Sequence, residues 1–142
     1  MALNIASGNR YIIVNTKSQT VMDLSGSDGV SVIGFPKHGQ ANQQWELVFA
    51  ETGWHIKSVS SGKYLQVAGG HQGGSRIVAT NVPFIWYIWA DNAEVTSARI
   101  SVPGCSCDID LSEGGSVAPC TPVQLWDRAE GARNQVWRFE KV

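Results

Sequence analysis

The sequence predicts an all-β chain made of three copies of one unit, and three observations carry that prediction. Glycine and turn residues recur every few positions with short apolar runs between them, and no i, i+3, i+4, i+7 pattern persists beyond a turn or two. Three segments, YIIVNTKSQTVMDLSG, WHIKSVSSGKYLQVAG and RISVPGCSCDIDLSEG, align so that Ile13, Ile56 and Ile100 follow one another at intervals of 43 and 44 residues. Asp23, Gln66 and Asp110 keep the same intervals. A tryptophan element then closes each copy: ANQQWELV around Trp45, PFIWYIW around Trp86 and RNQVWRFE around Trp137. The tryptophans are 41 and 51 residues apart, so the third copy carries extra loop between its aspartate and its tryptophan, an insertion that loops tolerate. Propellers typically need four or more blades, so three units are too few for one. Three four-strand units in one closed domain predict a β-trefoil with pseudo-threefold symmetry. The expected organisation is a single domain over 1–142, with repeats of approximately 1–50, 51–93 and 94–142.

Composition narrows the function. A chain of 142 residues can bury one proper core. The formal net charge of -1, with both signs scattered and no basic block, argues against nucleic acid as a partner. No apolar run approaches the ~20 residues of a membrane span, so membrane insertion is not expected. The opening MALNIASGNRY lacks the charged start and apolar middle of a signal peptide, which predicts a cytoplasmic protein. Cys105, Cys107 and Cys120 are odd in number, and C-x-C is neither a zinc knuckle nor a redox C-x-x-C. They read as free thiols, with a bridge from Cys120 to one of the other two as the alternative.

Strand alternation assigns faces. Met22 and Leu24 flank Asp23, Leu65 and Val67 flank Gln66, and Ile109 and Leu111 flank Asp110, so each central position is expected to point away from the core. Trp45, Leu47 and Phe49 share parity with Gln43, as Trp137 and Phe139 do with Gln135. Trp45, Trp86 and Trp137 are therefore expected as core anchors. Gln43 and Gln135 are expected as structural residues, because an unpaired buried amide costs roughly 1 to 3 kcal/mol. Asn42 and Asn134 fall on the opposite side and are expected to face solvent beside Asp23 and Asp110.

Repeated Q-x-W elements (QQW, QVW), each following an aspartate in a DLS turn (MDLSGSDG, IDLSEGGS), resemble the ricin B-type, or R-type, lectin family over essentially the whole chain. The chain looks most like the cytoplasmic β-trefoil lectins of fungi. That resemblance implies binding of terminal galactose or N-acetylgalactosamine on glycans and glycoproteins, agglutination of red cells, frequent homodimerisation and a part in defence. It places a first-repeat site on Asp23 and Asn42, with a backbone amide near Gly26 and a stacking ring from Phe35 or His38, a choice the sequence leaves open. The third-repeat site falls on Asp110 and Asn134, with an amide near Gly114 and Trp126 as the stacking ring. In the middle repeat Gln66 replaces the aspartate and Pro83 and Phe84 occupy the Asn-Gln positions, so that site is expected to be inactive.

Chemistry recommends the same residues. The axial 4-hydroxyl of galactose turns O3 and O4 toward one carboxylate, which can accept a charge-assisted hydrogen bond from each. No cofactor is expected. His38, His55 and His71 have no partners at ligand spacing, so no metal is expected either. The GGHQGGS stretch at 69–75 lacks the lysine and helix of a phosphate loop, and no G-x-S-x-G elbow suggests an enzyme. The competing expectations are a trefoil protease inhibitor acting through an exposed loop such as FPKHGQ, and a storage protein with degenerate sugar sites.

Overall fold

The computed structural model describes residues 3–142. The described residues form twelve strands, four to a repeat. The first four are β1 (Arg10–Asn15), β2 (Val21–Leu24), β3 (Val32–Phe35) and β4 (Trp45–Ala50). The next are β5 (Gly53–Ser58), β6 (Tyr64–Val67), β7 (Ile77–Thr80) and β8 (Tyr87–Ala90). The last are β9 (Ala98–Ser101), β10 (Cys107–Leu111), β11 (Thr121–Asp127) and β12 (Trp137–Lys141). No helix among the described residues is long and apolar enough to cross a membrane.

The strands form a β-trefoil. β1, β4, β5, β8, β9 and β12 form a ring in which each strand pairs antiparallel with its neighbours, β12 closing on β1. The β5–β8 link is a single bridge, in which Trp54 and Trp86 exchange both N–H···O bonds at 2.9 Å. Gly53 makes that approach feasible, because a Cβ there would lie 2.6 Å from Trp86 O. Three hairpins, β2–β3, β6–β7 and β10–β11, cap one end of the ring. They join each other through Thr121↔Gly34, Ser31↔Val78 and Arg76↔Gln124. A second hydrogen-bonded circuit, β12-β9-β10-β11-β3-β2-β1, closes through these hairpins.

One core fills the space between ring and cap. Ile13, Ile56 and Ile100 are fully buried, as are Met22, Leu65 and Ile109. Trp45, Trp86 and Trp137 each have 0% exposure and are among its largest buried side chains. Each indole also satisfies its own polar atom, with Nε1 donating to Met22 O (3.1 Å), Leu65 O (3.0 Å) and Ile109 O (3.0 Å) respectively. Those acceptors immediately precede Asp23, Gln66 and Asp110 in the chain, so the core bond also fixes the polar position next to it.

Three expectations drawn from strand alternation need correction. Asp23 and Asp110 leave the apolar core but do not reach solvent; each is 3% exposed inside a polar cluster. Asn42 and Asn134 are half-buried, because Ala41–Gln43 and Arg133–Gln135 form 3-10 turns, where alternation does not apply. Phe49 is 52% exposed and packs edge-on against Trp54 rather than joining the core. The cysteines are all free; the Cys105 and Cys107 thiols face each other at 2.7 Å while Cys120 is exposed.

Truncating an indole removes both its packing and its hydrogen bond. Trp45→Ala or Trp137→Ala is therefore expected to lower the unfolding free energy by about 3 to 5 kcal/mol, read from the denaturant midpoint at constant m-value. A variant with the wild-type midpoint would contradict the core assignment.

Candidate functional site

In the third repeat the β10–β11 hairpin pairs Asp110 with Gln124 and Asp108 with Trp126. This register places the Trp126 ring two residues along the strand from the position opposite Asp110. Three side-chain amides converge on the Asp110 carboxylate: Gln124 Nε2 donates to Oδ1 at 3.2 Å, and Asn134 Nδ2 (3.2 Å) and Gln135 Nε2 (3.1 Å) donate to Oδ2. Asn134 also donates to Leu111 O (3.1 Å), and Gln135 to Asp127 O (2.9 Å). Gln135 Oε1 accepts from Ala129 N (3.0 Å) and Arg99 Nη1 (2.9 Å), so this buried amide is saturated. Asn134 and Gln135 thus share one carboxylate, which the alternating-face reading had separated. The 3-10 turn rotates both toward it.

A cavity of about 470 Å³ opens over this cluster, lined in part by Asp110, Ser112, Gly114, Trp126 and Asn134. The structure therefore brings all four third-repeat residues named from sequence, Asp110, Gly114, Trp126 and Asn134, into one place. Trp126 is 48% exposed. The 69–75 loop of the middle repeat supports it: atoms added at Gly73 and Gly74 would meet the ring at 3.8 and 3.9 Å. Glu113 and Gly114 turn left-handed at φ 56° and 63°. At Gly115 a Cβ would lie 2.8 Å from Asn134 Cβ, so glycine is required there for the turn to approach the asparagine. Two lining residues escaped sequence reasoning. Gln124 is legible only from the hairpin register, and Ser112 Oγ is the one buried side-chain polar atom without a hydrogen-bond partner among the described residues.

The first repeat repeats this plan with fewer contacts. Gln43 Nε2 donates to Asp23 Oδ2 (2.9 Å) and Pro36 O (3.0 Å), while Gln43 Oε1 accepts from His38 N (2.8 Å) and Gly39 N (3.0 Å). Asn42 Nδ2 donates to Leu24 O at 3.3 Å. The β2–β3 register pairs Asp23 with Ile33 and Val21 with Phe35, which makes Phe35 the positional equivalent of Trp126. His38 stands elsewhere, with Nε2 3.8 Å from Asp23 Oδ2 and its ring edge-on to Phe35. Gly26 is exposed in the turn beyond β2. The FPKHGQ segment, considered as an inhibitory loop, is tied into this cluster through Gln43.

Burial raises the pKa of both Asp23 and Asp110 above the ordinary carboxylate value. The amides of Gln43 and Gln135, their strongest hydrogen-bond partners, oppose that shift without cancelling it. A buried carboxylate lining a cavity, as Asp110 does, is a candidate functional position. In the middle repeat Gln66 pairs with Val78 and turns its amide onto Val82 O (3.3 Å), and Thr80 stands where the others have an aromatic ring. Phe84, at the glutamine position, packs on Trp86 with ring centroids 4.8 Å apart.

The family model described as the ricin-type beta-trefoil lectin domain-like family matches residues 41–126. A ricin B-like lectin from Macrolepiota procera, solved in complex with lactose, is 44% identical with a TM-score of 0.95, over 98% of this chain and 99% of that one. The Rhizoctonia solani agglutinin is 25% identical with a TM-score of 0.87, over 99% of this chain and 100% of that one. An exo-β-1,3-galactanase from Clostridium thermocellum is 26% identical with a TM-score of 0.82, and there the match spans 99% of this chain but 31% of the larger one. No curated protein sequence matches. With a family model over more than half of its length and a 44% identical lectin over nearly all of it, the chain belongs to the ricin-type β-trefoil lectins, a carbohydrate-binding family.

Proposed function

We propose that this protein is a lectin for terminal galactose or N-acetylgalactosamine, with sites in the first and third repeats and none in the second. The observation that carries the reading is the third-repeat cavity, lined by a buried carboxylate, a half-exposed indole and the asparagine that bonds that carboxylate. Asp110 accepts from O3 and O4 of the sugar, the Trp126 face covers the C–H patch on the ring, and Asn134 completes the orientation at O3. Glucose, with its 4-hydroxyl equatorial, forfeits one of the carboxylate bonds. The lactose complex of the 44% identical Macrolepiota procera lectin supports this class, since lactose ends in galactose.

The first site uses Asp23, Asn42 and Phe35, with His38 beside the carboxylate. Shallow polar sites bind single sugars weakly. Two per chain, doubled in a homodimer, would hold a glycan-covered surface through effective concentration, as agglutination and a defence role require.

The direct test is affinity chromatography. The protein is expected to be retained on galactose-agarose and released by free lactose; flow-through at neutral pH together with failure to agglutinate red cells would refute the reading. Calorimetry is expected to count two sites in the wild type and in Gln66→Ala, one in Asp23→Asn, Asp110→Asn or Trp126→Ala, and none in the double aspartate variant. Asparagine is the sound replacement because alanine would strand the amides now paired with each buried carboxylate.

Acid should separate binding from folding. The folded pKa of Asp23 and of Asp110 lies above the unfolded value, so lowering the pH through that interval protonates the folded state first, and these two groups then favour folding. Galactose affinity is expected to fall on entering that interval from above while near-UV circular dichroism stays native. Simultaneous loss of both signals would contradict the assignment.

A further inference from the structure

The three repeats fill one equivalent position in three chemically different ways, buried in the first and third and partly exposed in the middle one. Where the first strand of each repeat meets its hairpin, the paired residues are Val14↔Val21, Lys57↔Tyr64 and Ser101↔Asp108. Adding the residue two before the first member of each pair gives three equivalent trios. In the first repeat Ile12, Val14 and Val21 form a small apolar cluster. In the middle repeat His55 packs edge-on against Tyr64 and Lys57 Nζ lies 5.6 Å from the same ring. In the third repeat the trio is Arg99, Ser101 and Asp108, all buried.

Burying these charges is costly unless each is paired, and the third repeat pairs them. Arg99 Nη1 donates to Asp108 Oδ2 (3.1 Å), Arg99 Nε to Asp91 Oδ1 (2.9 Å) and Arg99 Nη2 to Ala129 O (3.0 Å). Ser101 Oγ donates to Asp108 Oδ1 at 2.6 Å, and the half-exposed Arg128 closes over Asp108 from outside. The apolar trio of the first repeat occupies the same place without any of this, so folding alone does not demand it. What the ionic trio adds is one further bond, from Arg99 Nη1 to Gln135 Oε1 at 2.9 Å.

That bond reaches the binding cluster. In the first repeat the equivalent oxygen, Gln43 Oε1, takes two backbone amides from one loop, His38 N and Gly39 N. In the third repeat the loop supplies only Ala129 N, and the guanidinium takes the second place. A charged donor on Oε1 polarises the amide, so Nε2–H becomes a stronger donor to Asp110.

We infer that Arg99 is a positioning residue for the third-repeat site, which sets the Asp110 carboxylate through Gln135 from the side away from the ligand. This rests on the galactose reading above. Two neighbouring sites on one chain then depend on different supports: a loop in the first, a buried cation in the third. The first site depends on no residue of the ionic trio.

The test transplants the first-repeat trio into the third. Arg99→Ile, Ser101→Val and Asp108→Val together replace the ionic cluster with an apolar one of a kind the fold already accommodates, and Arg99→Lys alone keeps the charge while losing the fork. Each is made in two backgrounds, Asp23→Asn to isolate the third site and Asp110→Asn to isolate the first, with galactose affinity and melting temperature measured in both. The expected result is about tenfold weaker binding at the third site, the scale of one charged hydrogen bond, with first-site affinity unchanged, while the melting temperature of the triple variant falls because buried Asp91 loses its Arg99 partner. Retained third-site affinity in either folded variant, or equal weakening at both sites, would overturn the inference. Absence of galactose binding in the parent protein would instead refute the lectin reading itself.

Discussion

Three indole N–H groups, each donating to the carbonyl one residue before the polar position of its repeat, fix the geometry on which everything else depends. Each bond joins the start of a repeat's last barrel strand, or the residue just before it, to the hairpin that caps the barrel, through the most buried part of the core. An unmet indole or carbonyl there would carry a full desolvation cost, so the bond and the packing enforce each other. Two residues before the tryptophan, the chain is delivered beside the hairpin strand. One residue after the acceptor carbonyl lies Asp23, Gln66 or Asp110. A polar cluster at this junction is therefore a by-product of the core, open to each repeat and built around a carboxylate in two.

Divergence among the repeats follows from that arrangement. The first and third keep a glutamine two before the tryptophan and saturate it with four hydrogen bonds, so that one amide hydrogen is always presented to the carboxylate. The middle repeat replaces that glutamine with Phe84, which packs on Trp86 and has no polar atoms to satisfy. Losing the aspartate and the glutamine together is physically coherent, because either alone would leave a buried polar group without its partner. The Trp86 bond to Leu65 survives, since it belongs to the fold.

The buried carboxylates work against stability at neutral pH, as their raised pKa values record. Such groups persist in folded proteins where function uses them. Asp91 behaves differently: burial pushes its pKa up, but the Arg99 guanidinium and the amides of Glu94 and Ala93 bring it below the usual value. Its charge is matched by a guanidinium inside the protein, whereas Asp110 is hydrogen-bonded only by neutral amides and Asp23 by a neutral amide with the His38 imidazole 3.8 Å away.

The sequence by itself determined the repeat and the three tryptophan anchors at their intervals, and it singled out Asp110 and Asn134, which bond each other, and Asp23 and Asn42, of which Asn42 donates to Leu24 O. The repeat, the anchors and the choice of these residues are carried by identity and spacing along the chain. That Phe35, not His38, is the positional counterpart of Trp126 is visible only in the hairpin register, which a linear string does not contain. The half-burial of Asn42 and Asn134 came from the 3-10 turns, whose dihedrals break the two-residue period on which strand reasoning relies. Phe49 has the right parity for the core and still lies outside it, since parity does not say where the barrel ends. Arg99, Gln124 and Ser112 entered only with tertiary structure, because folding rather than sequence brings Arg99 to Gln135, Gln124 to Asp110 and Ser112 to the cavity wall. A local pattern can fix what a residue is able to do, and only the packed chain decides what stands within hydrogen-bonding distance of it.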